Sequence, residues 1–310
     1  MGGISACSVR ADSNKLFPVE PRGWLLRGLH TLDRKANVFY NVPAVGLLAL
    51  LYVLPVLTTV YLSFHRWTLS ARPPVWVGLS NFVDLVEAER FRGALLHTFE
   101  YSALAVSIEL VLGMVIALIL NEPFRGRGFV RTLFLFPMMA TPIVTMMAWQ
   151  LLLDPLTGIF SVIGGTSMVP PLSNEVWALP TLVVVDVWMW TPLVSLILLG
   201  GLSALPIEPY EAASLDGASW WQKFWHLTIP MLRPVMVVAV LFRVIDSLKA
   251  FEPMFVLTDG GPNFATETLN LYAFKQAFTS FNMGYASALL LIYTVIIIFF
   301  SAVLIRVRRG

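Results

Sequence analysis

Cysteine and charge are both scarce in this 310-residue chain. Its single cysteine, Cys7, excludes an intramolecular disulfide and a thiolate metal cluster. Only 13% of the residues are charged, against roughly a quarter in soluble domains. The net charge of +2 offers no field for a polyanion, so no nucleic-acid partner is expected. The four histidines, His30, His65, His97 and His226, are scattered without metal-ligand spacing. No G-x-x-x-x-G-K-[ST] occurs, and none of the five lysines follows a glycine. The chain therefore has no P-loop, and any ATP must be bound by another polypeptide. The serine-nucleophile pattern Gly-x-Ser-x-Gly is missing too. No catalytic residue, metal site or resident cofactor is assigned. No apolar core follows the charged start, so a cleaved signal peptide is not expected.

What the chain has instead is apolar length: 57% hydrophobic residues and a mean hydropathy of +0.75. The apolar runs are continuous rather than alternating, which predicts an all-α integral membrane protein and not a barrel. Six spans are expected, at Pro43–Phe64, Thr98–Leu120, Thr132–Leu153, Leu179–Leu202, Val235–Leu257 and Ala286–Val307. Each is close to the roughly 20 residues needed to cross a hydrocarbon core of about 30 Å. Pro137 and Pro142 predict a kink in the third. Residues 1–38 form a polar, basic arm, in which Trp24, Leu25, Leu29 and Leu32 suggest a weak interfacial helix; residues 39–310 form the spanning domain. With the arm in the cytoplasm, fourteen of the 21 basic residues fall inside and five outside, with Arg243 and Lys249 in the fifth span. This bias places both termini, and the loop over 203–234, in the cytoplasm.

That loop is unusually ordered in its residue choice. Pro209 suits the first turn of a short helix through Leu215, and Gly217 suits the positive φ that follows a helix end. Ser219 and Gln222 form a capping-box pair, predicting a second helix from Ser219 to about Leu227, stopped by Pro230. Trp220, Trp221 and Trp225 would seat such a hairpin at a bilayer surface, or it would dock a partner protein.

The order Glu211-Ala212-Ala213, Asp216-Gly217-Ala218, Phe224, Ile229-Pro230, Pro234 resembles the "EAA" loop of membrane subunits of binding-protein-dependent ABC importers, most of all the carbohydrate-type permeases. Two further stretches resemble the same family. Gly78-Leu79, Asn81-Phe82, Phe91, Ala94-Leu95 and Thr98 match its first outer segment, although His97 stands where the family has Asn, which leaves any role of that Asn open here. Thr258, Gly260-Gly261-Pro262, Thr266 and Thr268 match its last outer loop. The resemblance implies the type I importer permease fold, with a coupling-helix hairpin inserted into a cleft of an ATPase. It implies that Glu211, Ala212, Ala213, Asp216, Gly217, Ala218, Phe224 and Pro230 serve this coupling. It also implies a second permease, two ATPases carrying ATP and Mg, an external solute-binding protein, a bacterial inner membrane, and a sugar or polyol phosphate as solute.

Ionisable residues inside spans are expensive and must face protein or water, which applies to Glu109 in the second span and Asp186 in the fourth. Arg243, Asp246, Lys249 and Glu252 recur every three residues in the fifth, so Asp246 can pair with Arg243, Lys249 or both. They form a structural network, or else Asp186, Arg243, Asp246 and Lys249 line the path with Trp188, Trp190 or Phe251 stacking on sugar faces. A secondary transporter is the rival reading, and it would need no ATPase.

The charge bias is spread over the early spans. Neutralising Arg306, Arg308 and Arg309 should therefore leave a tag after Gly310 protected from external protease in intact spheroplasts. Cleavage of the tag would overturn the six-span topology.

Overall fold

The computed structural model describes residues 23–69, 72–154, 157–159 and 170–309, with side chains from 41 to 306. The interfacial helix expected around Trp24 and Leu32 lies outside the described side chains, as do Arg308 and Arg309. The chain divides into a first unit ending at Thr58, through which α1 (Gly23–Ser63) runs, and a second from Thr59 on. Packing is described for the second unit.

Among the described residues, five helices are long and apolar enough to cross a membrane: Asn41–Ser63 of α1, α3 (Glu89–Asn121), α6 (Glu175–Ser203), α8 (Trp220–Leu248) and α10 (Met283–Arg309). The remaining expected span, the third, is broken rather than kinked. Helices α4 (Arg127–Met139) and α5 (Pro142–Leu152) meet at 92°. Pro137 sits inside α4 without breaking it, whereas Ala140 and Thr141, just ahead of Pro142, are both extended. The pyrrolidine ring disfavours a helical conformation in the residue before it, and this places the break.

The fifth span departs from expectation at both ends. The second hairpin helix does not stop at Pro230 but runs on as α8. The turn Phe224–Thr228 is π-helical and lies directly ahead of Pro230. A proline has no N–H for the carbonyl four residues back and its ring crowds that carbonyl, so a widened turn there lets the helix continue. At the other end α8 stops at Leu248 rather than Leu257, and only Arg243 and Asp246 of the four spaced charges lie on it. Lys249 leaves the helix, and Pro253 opens a π-helical turn over Met254–Thr258. The Lys249 carbonyl, which a continuing helix would bond to the N–H that Pro253 lacks, instead accepts 2.8 Å from Asn270 Nδ2.

Helices α3 and α6 make the largest helix–helix contact, and α8 packs against both. Two apolar cores result. One holds Tyr101, Ala105, Leu182, Met189 and Met254; the other holds Met114, Leu198, Leu232 and Ala239 next to the hairpin. A third core, with Leu85, Phe91, Leu269 and Leu289, sits at the far end, where α2 (Ser80–Glu87) and α9 (Leu269–Phe274) pack on α3 and α10.

The far end is tied by polar contacts from the motifs over 78–98 and 258–268. Asn81 Nδ2 donates to the carbonyls of Ser63 (2.8 Å) and His65 (3.0 Å), beside the two-residue strands β1 (His65–Arg66) and β2 (Val75–Trp76). Thr98 Oγ1 accepts from the Leu269 backbone N–H at 2.9 Å. The Thr258 and Thr266 hydroxyls bond at 2.7 Å, closing the loop that contains Gly260 at φ +78°. Arg90 grips Glu267 with two bonds of 2.6 and 2.7 Å and lies over the rings of Phe264 and Tyr272. His97 lies half-buried within α3, its Nδ1 without a hydrogen-bond partner among the described residues.

Close approach of α3 to α6 depends on Gly113. A Cβ there would lie 2.8 Å from Val194 Cγ1 and 3.2 Å from the Ser195 nitrogen, whereas a Cβ at Gly200 meets nothing within 4 Å. Gly113→Ala should therefore lower thermal stability by about 1–3 kcal/mol, the usual cost of overpacking. Gly200→Ala should be neutral or stabilising, since alanine is the better helix former. Thermal unfolding of the two purified variants checks the contrast, and equal melting would refute it.

Candidate functional site

Two features stand out: an ionic cluster buried at mid-length of the bundle and the hairpin at one end of it. Along α3, Glu109 stands between Ala105 of one apolar core and Met114 of the other. Arg243 of α8 reaches it with two bonds, Nε to Oε2 at 2.6 Å and Nη2 to Oε1 at 2.7 Å. Nη2 also donates to Asp186 Oδ2 on α6 at 2.8 Å, and Nη1 to Asp246 Oδ2 at 2.6 Å. Its Cζ sits 5.1 Å from the Trp190 ring. A guanidinium carries five N–H donors, and four are used here. Arg243 is 1% exposed and Glu109 fully buried, while the Asp246 side chain is 40% exposed. A buried hydroxyl pair, Ser102 and Ser247 at 2.6 Å, adds a second polar link between α3 and α8.

Asp246 opens onto a cavity of about 290 Å³, whose walls include Asp186, Trp190, Ser247, Lys249 and Glu252. Lys249 is exposed and, among the described residues, makes no ion pair, so Asp246 pairs with Arg243 alone. Asp186, Trp190, Arg243, Asp246 and Lys249 are thus brought together. Two expected members are not. Trp188 points off the face shared by Asp186 and Trp190, packs edge-on against Trp149 at 5.5 Å, and lines a separate apolar cavity with Phe136. Phe251 stacks on Phe255 at 5.0 Å and packs in the first apolar core. Glu109 completes the cluster. Its sequence signal was an acid deep in a span, but the arginine that meets it lies 134 residues away.

The hairpin is built locally. Helix α7 (Glu208–Leu215) ends in a Schellman motif: Ala218 N–H bonds the Ala213 carbonyl at 2.9 Å and Gly217 N–H that of Ser214 at 3.2 Å. Gly217 takes φ +77°. The predicted capping box forms, with Ser219 N–H donating to Gln222 Oε1 at 2.7 Å and Gln222 N–H to Ser219 Oγ at 3.4 Å. Two side-chain bonds pin the helices together, Lys223 Nζ to Ser214 Oγ at 2.7 Å and Tyr210 OH to Thr228 Oγ1 at 3.0 Å. Phe224 stacks on Trp220 with centroids 5.4 Å apart. Glu211, Ala212, Asp216 and Gly217 are exposed around a tip where Leu215 is 90% exposed. Pro230 lies beyond the hairpin, within α8.

Removing Arg243 would leave three carboxylates facing one another. Arg243→Gln should cost about 3–5 kcal/mol, the usual penalty for breaking a buried ion pair from one side. Asp246→Asn removes only the half-exposed member and should keep membrane abundance and melting near wild type. Fluorescence-detected melting in mild detergent checks the order, and an Asp246→Asn loss as large as that of Arg243→Gln would contradict it.

Comparison with known proteins places this architecture. Residues 109–309 match the family described as "Binding-protein-dependent transport system inner membrane component". A probable ABC transporter permease of Sinorhizobium fredii is 38% identical, covering 94% of this chain and 96% of that protein. The trehalose/maltose transport system permease MalF of Thermococcus litoralis is 36% identical, covering 89% and 95%. In fold, the chain matches a crystal structure of a bacterial ABC transporter involved in import of the acidic polysaccharide alginate (TM-score 0.77, 21% identity, covering 91% and 98%). A second alginate transporter structure, in complex with an alginate pentasaccharide-bound periplasmic protein, matches at TM-score 0.74 and 20% identity, covering 89% and 94%. The fold is that of a type I ABC importer permease, and the chain belongs to the family of inner-membrane components of binding-protein-dependent transport systems.

Proposed function

We propose that this chain forms half of the translocation path of an ATP-driven importer for a sugar or sugar-like solute, and that its hairpin takes up the force of separate ATPase subunits. The observation that carries the reading is the continuity of α8. It runs unbroken from the capping box at Ser219 to Leu248, at the edge of the Asp246 cavity. At about 1.5 Å per residue, its 29 residues make a rod of roughly 43 Å. A hairpin pinned by a Schellman motif, a capping box and two side-chain bonds cannot flex independently of that rod. A displacement at the Leu215 tip is therefore delivered to the cavity as rigid-body motion, as alternating access requires.

The partners follow from this reading. The exposed tip, with Leu215, Ala212 and Asp216, docks in an ATPase cleft, so the hairpin faces the cytoplasm of a bacterial inner membrane together with both termini. ATP and Mg belong to the ATPase pair. A second, similar permease supplies the other half of the path, and an external solute-binding protein delivers the solute at the far end; the alginate transporter of like fold is in complex with an alginate pentasaccharide-bound periplasmic protein. The sugar class is supported by relatives named as trehalose/maltose and trehalose permeases. The basic arm over 1–38 is placed in the cytoplasm by the same orientation.

Gly217 offers a direct test. A Cβ there meets nothing within 4 Å, so a side chain fits, but the positive φ costs a non-glycine residue about 1–2 kcal/mol and loosens the Schellman turn. Gly217→Leu should insert normally and co-purify with its ATPase, yet lose solute uptake while ATP hydrolysis continues. Normal uptake by the variant would contradict coupling through the hairpin. Failure of the wild-type chain to co-purify with any ATPase would favour a secondary transporter.

A further inference from the structure

The walls of the Asp246 cavity have a one-sided charge. Asp186, Asp246 and Glu252 line it, and Lys249 is the one lining cation among the described residues. Arg243 does not redress the balance. It is 1% exposed, stands behind the wall, and is already bonded to Glu109, Asp186 and Asp246. Its fork, the group best shaped to hold a carboxylate or phosphate, is thus taken up by the protein's own acids. Asp246 gives Oδ2 to Arg243, and its side chain keeps a face toward the cavity.

Among the charged side chains of the described residues that line the cavity, carboxylates outnumber cations. Sugar hydroxyls donate as readily as they accept, so a neutral ring finds partners on Asp246, Glu252 and Lys249 beside the indole of Trp190. An anionic ring brings acceptors to acceptors in a pocket where charges are poorly screened. The volume, about 290 Å³, is at the small end of ligand sites, which span roughly 300–1,000 Å³, and suits a single ring unit.

We infer that this cavity selects by charge: it accepts neutral or amino-bearing sugar units and rejects those bearing carboxylate, sulfonate or phosphate. The inference rests on the reading of the cavity as a sugar path. Sharing a fold with an importer of an acidic polysaccharide does not carry that preference over, since the charged side chains lining the cavity and not the helix arrangement set it.

The test uses the complete transporter in lipid nanodiscs without its solute-binding protein, so that only the membrane path selects. Three disaccharide probes are titrated by calorimetry: maltose, a glucuronate-containing counterpart and a glucosamine-containing counterpart. The acidic probe should bind at least about tenfold more weakly than maltose, equivalent to about 1.4 kcal/mol, and the amino probe at least as tightly as maltose. Glu252 lies outside the ionic cluster, so Glu252→Gln should fold normally and narrow the gap severalfold. Lys249→Gln should widen it. Equal or tighter binding of the acidic probe to the wild type would overturn charge selection. A gap that neither variant changes would overturn its assignment to this cavity. If none of the probes binds, the sugar-path reading fails as well, an outcome distinct from both.

Discussion

The structure depends on one buried cation. A guanidinium in the apolar interior of a membrane bundle is tolerable only when its donors are met, and Arg243 meets Glu109, Asp186 and Asp246. The first two come from different helices, so the registers of α3, α6 and α8 are set against one another at a single point. A slip of one helix by a turn, about 5.4 Å, would strand charges in a low-dielectric core. The close contact at Gly113 and the Ser102–Ser247 pair work to the same end. These three helices consequently behave as one body. The helical breaks lie around this body, at Ala140–Thr141 and from Lys249 to Pro253.

That division gives α8 two jobs that would conflict in a flexible helix. Its first turns belong to the hairpin and its last turns to the ionic cluster. Pro230 and Pro234 lie between, where prolines would ordinarily interrupt the transmission. The π-helical turn at Phe224–Thr228 absorbs the first of them ahead of the ring, and Thr228 is held there by the Tyr210 hydroxyl. The widened turn is thereby anchored to α7, and the joint between hairpin and rod is stiff.

Local signals in the sequence were legible in proportion to how local they were. The capping box at Ser219, the positive φ at Gly217 and the short helix opening near Pro209 rest on neighbours within five residues, and all three are present. The helical spans follow from apolar length alone. Pro230 and Pro142 show the limit of local reading. Both are prolines near a helix end, yet one is carried through by a π-helical turn and the other follows a 92° break. Within the site, Asp186 and Trp190 are four residues apart and share a helix face. Trp188, two residues from each, falls on another face for the same reason. The Glu109–Arg243 pair had no local signature, because its partners are joined only through the packing of α3 on α8.

On a continuous helix the three-residue spacing of Arg243, Asp246, Lys249 and Glu252 would make each the neighbour of the next while turning about 60° per step, so that Arg243 and Glu252 would face opposite sides. The structure separates them by ending α8 after Leu248. Arg243 stays in the core, Asp246 straddles core and cavity, and Lys249 and Glu252 leave the helix to stand in the cavity wall. The break is itself supported by the protein, since Asn270 takes the Lys249 carbonyl that Pro253 leaves without a donor. Asn270 lies on α9, which follows the loop closed by Thr258 and Thr266 and gripped through Arg90 and Glu267. A change in how that loop is held therefore reaches the Lys249 carbonyl through a single hydrogen bond. The far end of the molecule and the cavity wall are linked by this contact, just as the hairpin and the ionic cluster are linked by the rod of α8.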